Sequence, residues 1–287
     1  MLITRRNVNY FGFALGLVLS AGLVYYCTGD EVEKDVPYVP TPPEVVEKML
    51  ELAAPKKGEV LYDLGCGDGR IVVTAAKKYG VKGTGVDIDP QRIKESNENA
   101  KTAGVADEVK FVERNLFEMD FHDANVVTLY LLTTVNERLR PQLLKQLKPG
   151  SRVVSHAFDM GDWEPDQHVN VEPGGQDVYF WVVPANVEGT WTLSKPGDQK
   201  ANGGPAKIKL EQKFQKVNGT GAHGKQAELK DVTLKGDDLT FTMDGVKYSA
   251  KVEGDAMKGT YGDDKEFSAK REKSKHPIEE KRETGRK

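Results

Sequence analysis

The 287-residue sequence has little cysteine, little histidine and almost no net charge. Its two cysteines, Cys27 and Cys66, lie in unlike surroundings, so they predict no disulfide framework. Five scattered histidines and the lack of any CxxC pair leave no cluster with metal-ligand spacing. A net charge of −3 provides no general attraction to a polyanion. We therefore expect neither a disulfide scaffold nor a metal centre, and no nucleic-acid partner.

Long hydrophobic runs are also scarce, and one stands out at residues 11–27, FGFALGLVLSAGLVYYC. It follows Arg5 and Arg6 and is just long enough for a transmembrane helix, which needs about 17 to 25 apolar residues. A cleaved secretory signal is the competing interpretation, but Tyr25 and Tyr26 offer no small-residue cleavage site. We favour an uncleaved single-pass anchor within residues 1–30; a cleaved signal would make the protein secreted or periplasmic. The positive-inside tendency would place the rest of the chain outside, but the side of the membrane stays open.

Residues 31–186 predict one α/β domain. Short apolar segments alternate with helical segments of about 10 to 15 residues, the pattern of a Rossmann-like, doubly wound and mostly parallel sheet. HVNVE and QDVYFWVVP, joined by Pro173-Gly174-Gly175, predict a closing β-hairpin. The predicted parallel strands are EVLYDLG, GTGVDID, EVKFVERN, NVVTLYLL and SRVVSHAF, and the helices between them are RIVVTAAKKYG, PQRIKESNENAKTAG and VNERLRPQLLKQLKPG.

Capping residues mark the starts of two helices. Thr41 is the predicted N-cap of the first helix, with Pro42 at its first position and Glu44 closing a capping box. Asp89, directly before Pro90, is predicted to cap a later helix in the same way.

Residues 187–270 predict a second, antiparallel β domain. Their segments KIKLEQKFQKV, AELKDVTLKG, LTFTMDG and VKYSAKVEG alternate apolar and polar residues, as in a sheet with one wet face. Turns are predicted at Gly236-Asp237-Asp238 and at Asp244-Gly245. We expect a small barrel or sandwich here, followed by a disordered charged tail at residues 271–287, which have almost no apolar side chains.

The strongest chemical signal is VLYDLGCGDGR, where a predicted strand meets a glycine loop and then a helix. The dinucleotide-binding pattern GxGxxG requires its third glycine where this sequence has Arg70. No GK[ST] follows, which excludes a P-loop. Two acids of the segment, Asp63 and Asp68, would repel a nucleotide phosphate.

The spacing of the loop residues fits a different ligand. Asp63, Gly65, Gly67 and Gly69 form DxGxGxG, a pattern typical of sites for S-adenosyl-L-methionine. Asp63 at the strand end can engage the ammonium group of that ligand, directly or through water. A tight βα turn without a ligand is the alternative for such a loop taken alone.

Polar residues at the next two strand ends support the cofactor interpretation. Asp87, in GVDID, can accept hydrogen bonds from both ribose hydroxyls. Asn115 and Leu116 follow the third strand, where a polar group and an apolar wall would enclose adenine. The candidate cofactor-binding residues are Asp63, Gly65, Cys66, Gly67, Gly69, Asp87, Ile88, Asn115 and Leu116.

The segments YDLGCGDGRIVVTAAKKYG, GVDIDP and LKPGSRVVSH resemble the class I S-adenosylmethionine-dependent methyltransferases over residues 38–184. YVPTPPEVVEKML, followed by DLGCGDGRIV and VVTLYLL, is similar to a membrane-anchored group that includes the mitochondrial lysine methyltransferases of the adenine nucleotide translocase and of the c-ring protein of ATP synthase. The resemblance implies a protein-lysine N-methyltransferase whose acceptor could be a membrane protein. It also implies cofactor contacts at Asp63, Gly65, Gly67, Asp87 and Asn115. The C-terminal β domain is not part of the pattern of the lysine enzymes.

Three residues are candidates for catalytic work at the methyl acceptor. The fourth strand ends in TLYLL rather than in the [DN]PP[YF] motif of enzymes that methylate amide or ring nitrogens. Of its Thr128 and Tyr130, Tyr130 could accept a hydrogen bond from an amine, or simply pack in the sheet. Tyr38 could cover the cofactor as a lid or only pack at the helix entry. His156 could be a general base near neutral pH, or a hydrogen-bonded structural histidine.

Two other functions stay open at this point. One is a small-molecule or lipid O- or N-methyltransferase whose β domain holds an apolar substrate. The other is a non-catalytic ligand-binding protein that acts through the β domain.

Overall fold

The computed structural model describes residues 36–195, 205–223 and 225–272. The predicted membrane segment at residues 1–30 lies outside these ranges, as do residues 273–287 of the predicted tail. The sequence predicts that this tail begins at residue 271, but Arg271 is the last residue of the final strand, and its backbone N–H donates to the Asp255 carbonyl at 2.9 Å. Within the described ranges, no helix is long and apolar enough to cross a membrane.

The first half of the described chain forms a seven-stranded sheet. Its strands are β1 (Val60–Leu64), β2 (Lys82–Asp87), β3 (Val109–Glu113), β4 (Val126–Leu129), β5 (Arg152–His156), β6 (Gln167–Val171) and β7 (Gln176–Val182). Their order in the sheet is β3-β2-β1-β4-β5-β7-β6. Strands β1 to β5 are parallel, and β6 and β7 form an antiparallel hairpin that joins the edge of β5. The predicted parallel sheet with a closing hairpin is therefore confirmed.

Four helices cover the two faces of this sheet: α1 (Pro43–Ala53), α2 (Arg70–Tyr79), α3 (Pro90–Ala103) and α4 (Thr133–Gln146). The buried sides of α1 and α2 pack on one face, against Leu61, Val126 and Val154. The buried side of α4 packs on the other face, with Leu139 and Leu143 among its core residues. Because the strand order reverses between β1 and β4, the carboxyl ends of these two strands border a crevice, the usual ligand position in such folds.

One of the two predicted caps is confirmed and the other is wrong. The Asp89 carboxylate accepts a hydrogen bond from the Gln91 N–H at 2.9 Å and caps α3 as predicted. Helix α1 begins instead at Pro43, with Pro42 at its N-cap position and no side-chain cap. The Thr41 side chain is buried and lies 3.3 Å from a ring nitrogen of His156, so it links two elements rather than capping one.

The second half of the described chain forms an antiparallel sheet. Its strands are β8 (Gly189–Ser194), β9 (Lys207–Lys213), β10 (Lys216–His223), β11 (Lys225–Glu228), β12 (Lys230–Lys235), β13 (Asp238–Met243), β14 (Val246–Glu253), β15 (Ala256–Tyr261) and β16 (Lys265–Arg271). They lie in the order β11-β10-β9-β8-β16-β15-β14-β13-β12. The Leu229 N–H donates to the Gly219 carbonyl at 2.9 Å, which joins β10 to the residue before β12, so the sheet curls back on itself.

Large side chains fill the concave side of this curled sheet. Trp191, Phe241, Tyr248 and Met257 are each at most 1% exposed. Phe241 and Tyr248 stack with ring centroids 4.9 Å apart. The interior of the described strands is thus a packed core, and nothing in it resembles a site prepared for an apolar substrate.

The turn between β9 and β10 attaches the second sheet to the first. Phe214 of this turn stacks on Trp163, with ring centroids 5.8 Å apart. Gln215 accepts a hydrogen bond from the Trp163 indole N–H at 3.0 Å and donates one to the Glu164 carbonyl at 2.7 Å. Two ion pairs flank the contact, Lys213–Asp162 at 3.1 Å and Lys216–Glu164 at 2.6 Å. Residues 157–166, which we call the Trp163 loop, follow the carboxyl end of β5, so the second sheet is fixed to the edge where ligands bind.

Candidate active site

The glycine loop connects β1 to α2 at the crevice between β1 and β4. Gly65, Gly67 and Gly69 have φ angles of 87°, 53° and 76°, a region that side chains rarely tolerate. The N–H groups of Gly65 and Cys66 both donate to the Val86 carbonyl, at 2.8 and 2.9 Å. These bonds hold the loop against the end of β2.

Neighbouring side chains leave no room for larger residues in the loop. A Cβ atom at Gly67 would lie 2.5 Å from the ring of Tyr38, and one at Gly65 would lie 2.9 Å from Leu131. The three glycines are therefore required both by backbone conformation and by close approach. This is how a glycine loop brings its backbone near a ligand.

Asp63 lies at the carboxyl end of β1 and is almost completely buried. Its carboxyl group accepts a hydrogen bond from the hydroxyl of Thr128 on β4, at 2.7 Å. Burial raises the pKa of Asp63 to about 7; the Thr128 hydrogen bond opposes that shift, and the Asp87 and Asp68 carboxylates add to it. A buried acid of this kind is a candidate for meeting a cationic ligand group.

Asp87 ends β2 and faces the loop. One of its oxygens accepts the Gly67 N–H at 2.8 Å and the other accepts the Asp89 N–H at 2.9 Å. Burial raises its pKa, while these backbone hydrogen bonds lower it. Each carboxylate oxygen has a second lone pair, so the group can still accept hydrogen bonds from a ligand. Ile88 follows it and is half-buried.

Cys66 contributes its backbone to the loop, while its side chain turns into the protein. The thiol is buried, and a Cβ atom at Gly85 would lie 2.8 Å from its sulfur. Burial, together with the nearby Asp63 and Asp87, raises the pKa of the thiol well above its usual value. It is therefore an inert packing group and no nucleophile.

Asn115 and Leu116 lie just beyond β3, both half-buried. The Asn115 side-chain oxygen accepts the Phe117 N–H at 3.0 Å and so caps a short 3-10 helix at Leu116–Glu118. The preceding Arg114 N–H donates to the Asp87 carbonyl at 2.9 Å. The predicted adenine-binding residues thus lie next to the predicted ribose-binding residue.

Tyr38 lies on the glycine loop, with its ring against Gly67, and 43% of the residue is exposed. The guanidinium of Arg92 lies 4.4 Å from the ring centroid. Burial and the Asp68 carboxylate raise the pKa of the tyrosine hydroxyl. The sequence leaves a lid and a packing role open for Tyr38, and its position on the loop suits a lid.

Tyr130 and His156 lie side by side after β4 and at the end of β5. Their ring centroids are 3.8 Å apart. His156 is 1% exposed, and its Nδ1 and Nε2 atoms lie 3.3 Å from the Thr41 hydroxyl and 3.1 Å from the Gln176 side-chain oxygen. The Gln176 oxygen can only accept, so Nε2 carries the proton and Nδ1 accepts from Thr41. Burial also lowers the pKa of His156. In this arrangement neither ring nitrogen is free to take a proton from a substrate.

Several residues of the site are not evident from the sequence. Thr128, considered as a residue facing the substrate, is instead fully buried and bonded to Asp63. Ser96, in the middle of a polar helix, is also fully buried and donates to the Gly67 carbonyl at 2.8 Å. Arg70, the residue that replaces the third glycine of a dinucleotide site, donates to the Thr41 carbonyl at 2.8 Å. All three act across large sequence distances, which no local pattern records.

Comparisons with known proteins concern this same region. Residues 63–167 match the family model described as the ANTKMT methyltransferase domain. A protein-lysine N-methyltransferase of Saccharolobus islandicus is 50% identical over 151 residues, which are 52% of this chain and 94% of that protein. The lysine N-methyltransferase of Homo sapiens that is named for the c-type protein of ATP synthase is 31% identical over 53% of this chain and 62% of its own length. The adenine nucleotide translocase lysine N-methyltransferase of Mus musculus is 33% identical over 45% of this chain and 56% of its own length.

A solved structure is similar as well. The crystal structure of an RNA methyltransferase from Salinibacter ruber, in complex with S-adenosyl-L-homocysteine, is 55% identical to this chain. It covers 52% of this chain and 96% of that chain, with a TM-score of 0.50. The archaeal enzyme and this structure are matched over nearly their whole length by about half of this chain, whereas this chain spans little more than half the length of the mitochondrial enzymes.

Proposed function

Because the chain belongs to the ANTKMT methyltransferase family and is an S-adenosylmethionine-dependent methyltransferase, we propose that its methyl acceptor is a lysine side chain of a protein. The relation to the archaeal protein-lysine methyltransferase, at 50% identity over 94% of that enzyme, supports this substrate class most directly. Its two mitochondrial relatives, enzymes for lysine in a translocase and in a component of ATP synthase, support the same class.

The arrangement that supports the cofactor assignment is the glycine loop between two acids at neighbouring strand ends. We assign Asp63 to the ammonium group and Asp87 to the ribose hydroxyls. Gly65, Gly67 and Gly69 allow the backbone to approach the ligand, with φ angles that favour glycine. Asn115 and Leu116 are assigned to the adenine ring. When bound, S-adenosylmethionine supplies an electrophilic methyl group on a sulfonium, which an amine can attack in line.

The acceptor site is assigned to Tyr130 and to the surfaces on either side of it. A lysine amine must reach the methyl group unprotonated and aligned, and alignment accounts for much of the rate gain in such transfers. The Tyr130 hydroxyl can accept a hydrogen bond from the incoming amine. His156 holds the Tyr130 ring from behind, so we assign it a positioning role. Tyr38, on the glycine loop, is assigned to cover the cofactor.

RNA is a second candidate acceptor, because the Salinibacter ruber structure carries that description at 55% identity. The overall charge of −3 gives RNA phosphates no general attraction to this chain. A lipid or other apolar small molecule held in the β region has less support, since Trp191, Phe241 and Tyr248 fill the interior there. Protein lysine is therefore the acceptor that we place first.

We further propose that residues 11–27 anchor the protein in a membrane. Their composition and the preceding Arg5 and Arg6 support an uncleaved helix. An acceptor that is itself a membrane protein would then share the bilayer with the enzyme. The positive-inside tendency favours an outward-facing enzyme, whereas the cofactor is made in the cytosol. Alkaline phosphatase and fluorescent-protein fusions at the C-terminus would report the side, because each is active on one side only.

The full chain in detergent, with Asp87→Ala as the paired variant, tests the proposed function in two stages. Calorimetry with S-adenosyl-L-homocysteine should show binding that Asp87→Ala weakens at least about tenfold, the size of one or two lost hydrogen bonds to a charged group. Radiolabelled S-adenosylmethionine is then supplied with membrane protein, soluble protein or total RNA as acceptor. Label in protein that acid hydrolysis releases as methyl-lysine supports the proposal, whereas label in RNA alone would overturn it.

A further inference from the structure

We propose that cofactor binding expels a proton from the Asp63 carboxyl group, and that Thr128 is the positioning residue that holds this carboxyl where the ammonium group of the cofactor meets it. The inference rests on the proposed assignment of Asp63 to the cofactor. It adds a proton to the binding equilibrium and gives a role to a residue of β4 that has no direct contact with the reacting atoms.

The contact between the two side chains is set by strand register. Asp63 and Thr128 are paired neighbours on the parallel strands β1 and β4, at the crevice where the strand order reverses. Asp63 is 2% exposed and Thr128 is 0% exposed, so water does not replace their hydrogen bond. The Thr128 hydroxyl lies 2.7 Å from the Asp63 carboxyl oxygen and 3.4 Å from the Tyr62 carbonyl, so its single proton is directed to Asp63.

The charged groups around Asp63 make its negative charge unfavourable in the empty site. From β2 it faces the Asp87 carboxylate, and from the loop it faces Asp68 and the buried thiol of Cys66. The one nearby cation in the described part of the chain, Arg70 at the start of α2, is already paired with Asp68 at 2.6 Å. Among the residues that the structure describes, neither Asp63 nor Asp87 has a salt bridge to a basic side chain. With a pKa near 7, Asp63 therefore carries a proton in a large fraction of the empty enzyme at neutral pH.

An incoming ammonium group reverses this balance. A positive charge beside a buried carboxyl favours the ionised form, because the Coulomb attraction replaces the lost hydration. The Asp63 O–H bond breaks and its proton passes to the buffer, while the ligand ammonium keeps its three protons. The Thr128 hydroxyl continues to donate to the carboxylate formed. Below the pKa of Asp63, cofactor affinity should then rise about tenfold for each unit of pH.

Calorimetry of the full chain with S-adenosyl-L-homocysteine, in buffers of different ionisation enthalpy, measures the protons released. This ligand carries the ammonium group without the sulfonium charge. We expect release of about 0.9 proton at pH 6 and close to zero at pH 8.5, as follows from a pKa near 7 in the empty site. The matched probe 5′-methylthioadenosine has the nucleoside and thioether but no amino-acid part, and it should bind with no proton release from Asp63.

Variants of Thr128 test the positioning role. Thr128→Val keeps the shape but removes the donor, so the pH range of proton release should move upward and affinity at pH 7 should fall about tenfold. Thr128→Ser keeps the donor and should restore both, which a purely structural loss would not do. Binding without buffer-dependent heat at pH 6, or equal release with 5′-methylthioadenosine, would overturn this inference and leave the proposed function standing. No binding of S-adenosyl-L-homocysteine at all would overturn both.

Discussion

Tyr130 and His156 stack with ring centroids 3.8 Å apart, and the ring of Phe158 lies 6.2 Å from Tyr130 on the same aromatic wall. His156 is itself held by hydrogen bonds to two distant parts of the chain, Thr41 before α1 and Gln176 on β7. The orientation of Tyr130 at the end of β4 thus depends on elements that come together only in the folded sheet. The hydroxyl of Tyr130 is the polar group of this wall that we assign to the acceptor.

Replacing Tyr130 by phenylalanine should slow methyl transfer without weakening cofactor binding. The variant keeps the ring that stacks on His156 but loses the hydrogen-bond acceptor. We expect kcat/KM to fall about 10- to 100-fold, the range for one hydrogen bond to a charged or reacting group. Labelled-methyl transfer and the affinity for S-adenosyl-L-homocysteine should be measured on the same preparation. Tyr130→Phe with full activity would show that Tyr130 only packs.

Replacing His156 by glutamine should remove a pH dependence of stability. The folded-state pKa of His156 is lowered by burial, so between that value and the unfolded value near 6.5 the unfolded chain binds more protons. The contribution of a neutral His156 is therefore present above about pH 6.5 and is lost as the pH falls. Denaturation should give a free-energy difference between wild type and His156→Gln that shrinks with falling pH.

The same difference serves as its own control. Asp63, whose folded pKa is raised to about 7, contributes in the opposite sense, since its stability is lost as the pH rises toward that value. Both proteins contain Asp63, so its contribution cancels in the difference. A difference that stays constant from about pH 5 to pH 8 would contradict the assignment of a neutral buried histidine.

Gly67→Ala should damage the cofactor site more than an equally strained substitution elsewhere. Gly104 also has a positive φ, at 74°, but a Cβ there would meet nothing within 4 Å. Gly104→Ala should therefore lower the free energy of unfolding by about 1 to 2 kcal/mol through backbone strain alone and leave cofactor affinity unchanged. Gly67→Ala adds a 2.5 Å contact with the Tyr38 ring and should weaken S-adenosyl-L-homocysteine binding at least about tenfold.

A double-mutant cycle with Tyr38→Ala separates the two effects at Gly67. Removing the ring relieves the contact but leaves the strained φ, so the unfolding free energy of the double variant should exceed the sum expected from the singles. Strict additivity would mean that Tyr38 does not rest on the loop in solution.

Phe214→Ala should destabilise the protein more than Phe214→Gly, although glycine removes more atoms. Both variants lose the stacking on Trp163, but Phe214 has a φ of 55°, which glycine adopts without the strain that alanine suffers. The glycine variant should be more stable by about 1 kcal/mol in chemical denaturation. The opposite order would imply that the turn relaxes to a negative φ once the ring is gone.

Local features of the sequence allowed much of the fold to be predicted. The parallel strands, the hairpin of β6 and β7, and the Asp89 cap follow from periodicity and from capping residues, which act within a few positions. The glycine loop is equally local, and its three positive φ angles follow from the spacing of its glycines. The α1 cap was mispredicted because Thr41 satisfies the capping pattern, yet its hydroxyl finds His156 across the fold instead.

The parts that the sequence did not predict depend on long-range contacts. KIKLEQKFQKV reads as one alternating strand, but the chain turns at Phe214 because this residue and Gln215 find partners in the Trp163 loop. The partner of Asp63 is likewise set by the register of β1 and β4, which no local pattern encodes. Whether Tyr38, Tyr130 and His156 act in catalysis stays a prediction that the variants above can decide.

The attachment of the β9–β10 turn has a practical consequence for anyone shortening the chain. A fragment that ends after β7 would resemble the small archaeal enzyme in length, but it would uncover the fully buried ring of Trp163 and leave its indole N–H without Gln215. It would also strip Lys213 and Lys216 from Asp162 and Glu164. Such a fragment would be prone to aggregate, so a minimal soluble enzyme engineered from this chain needs a polar substitution at Trp163 and a new partner for the loop around it.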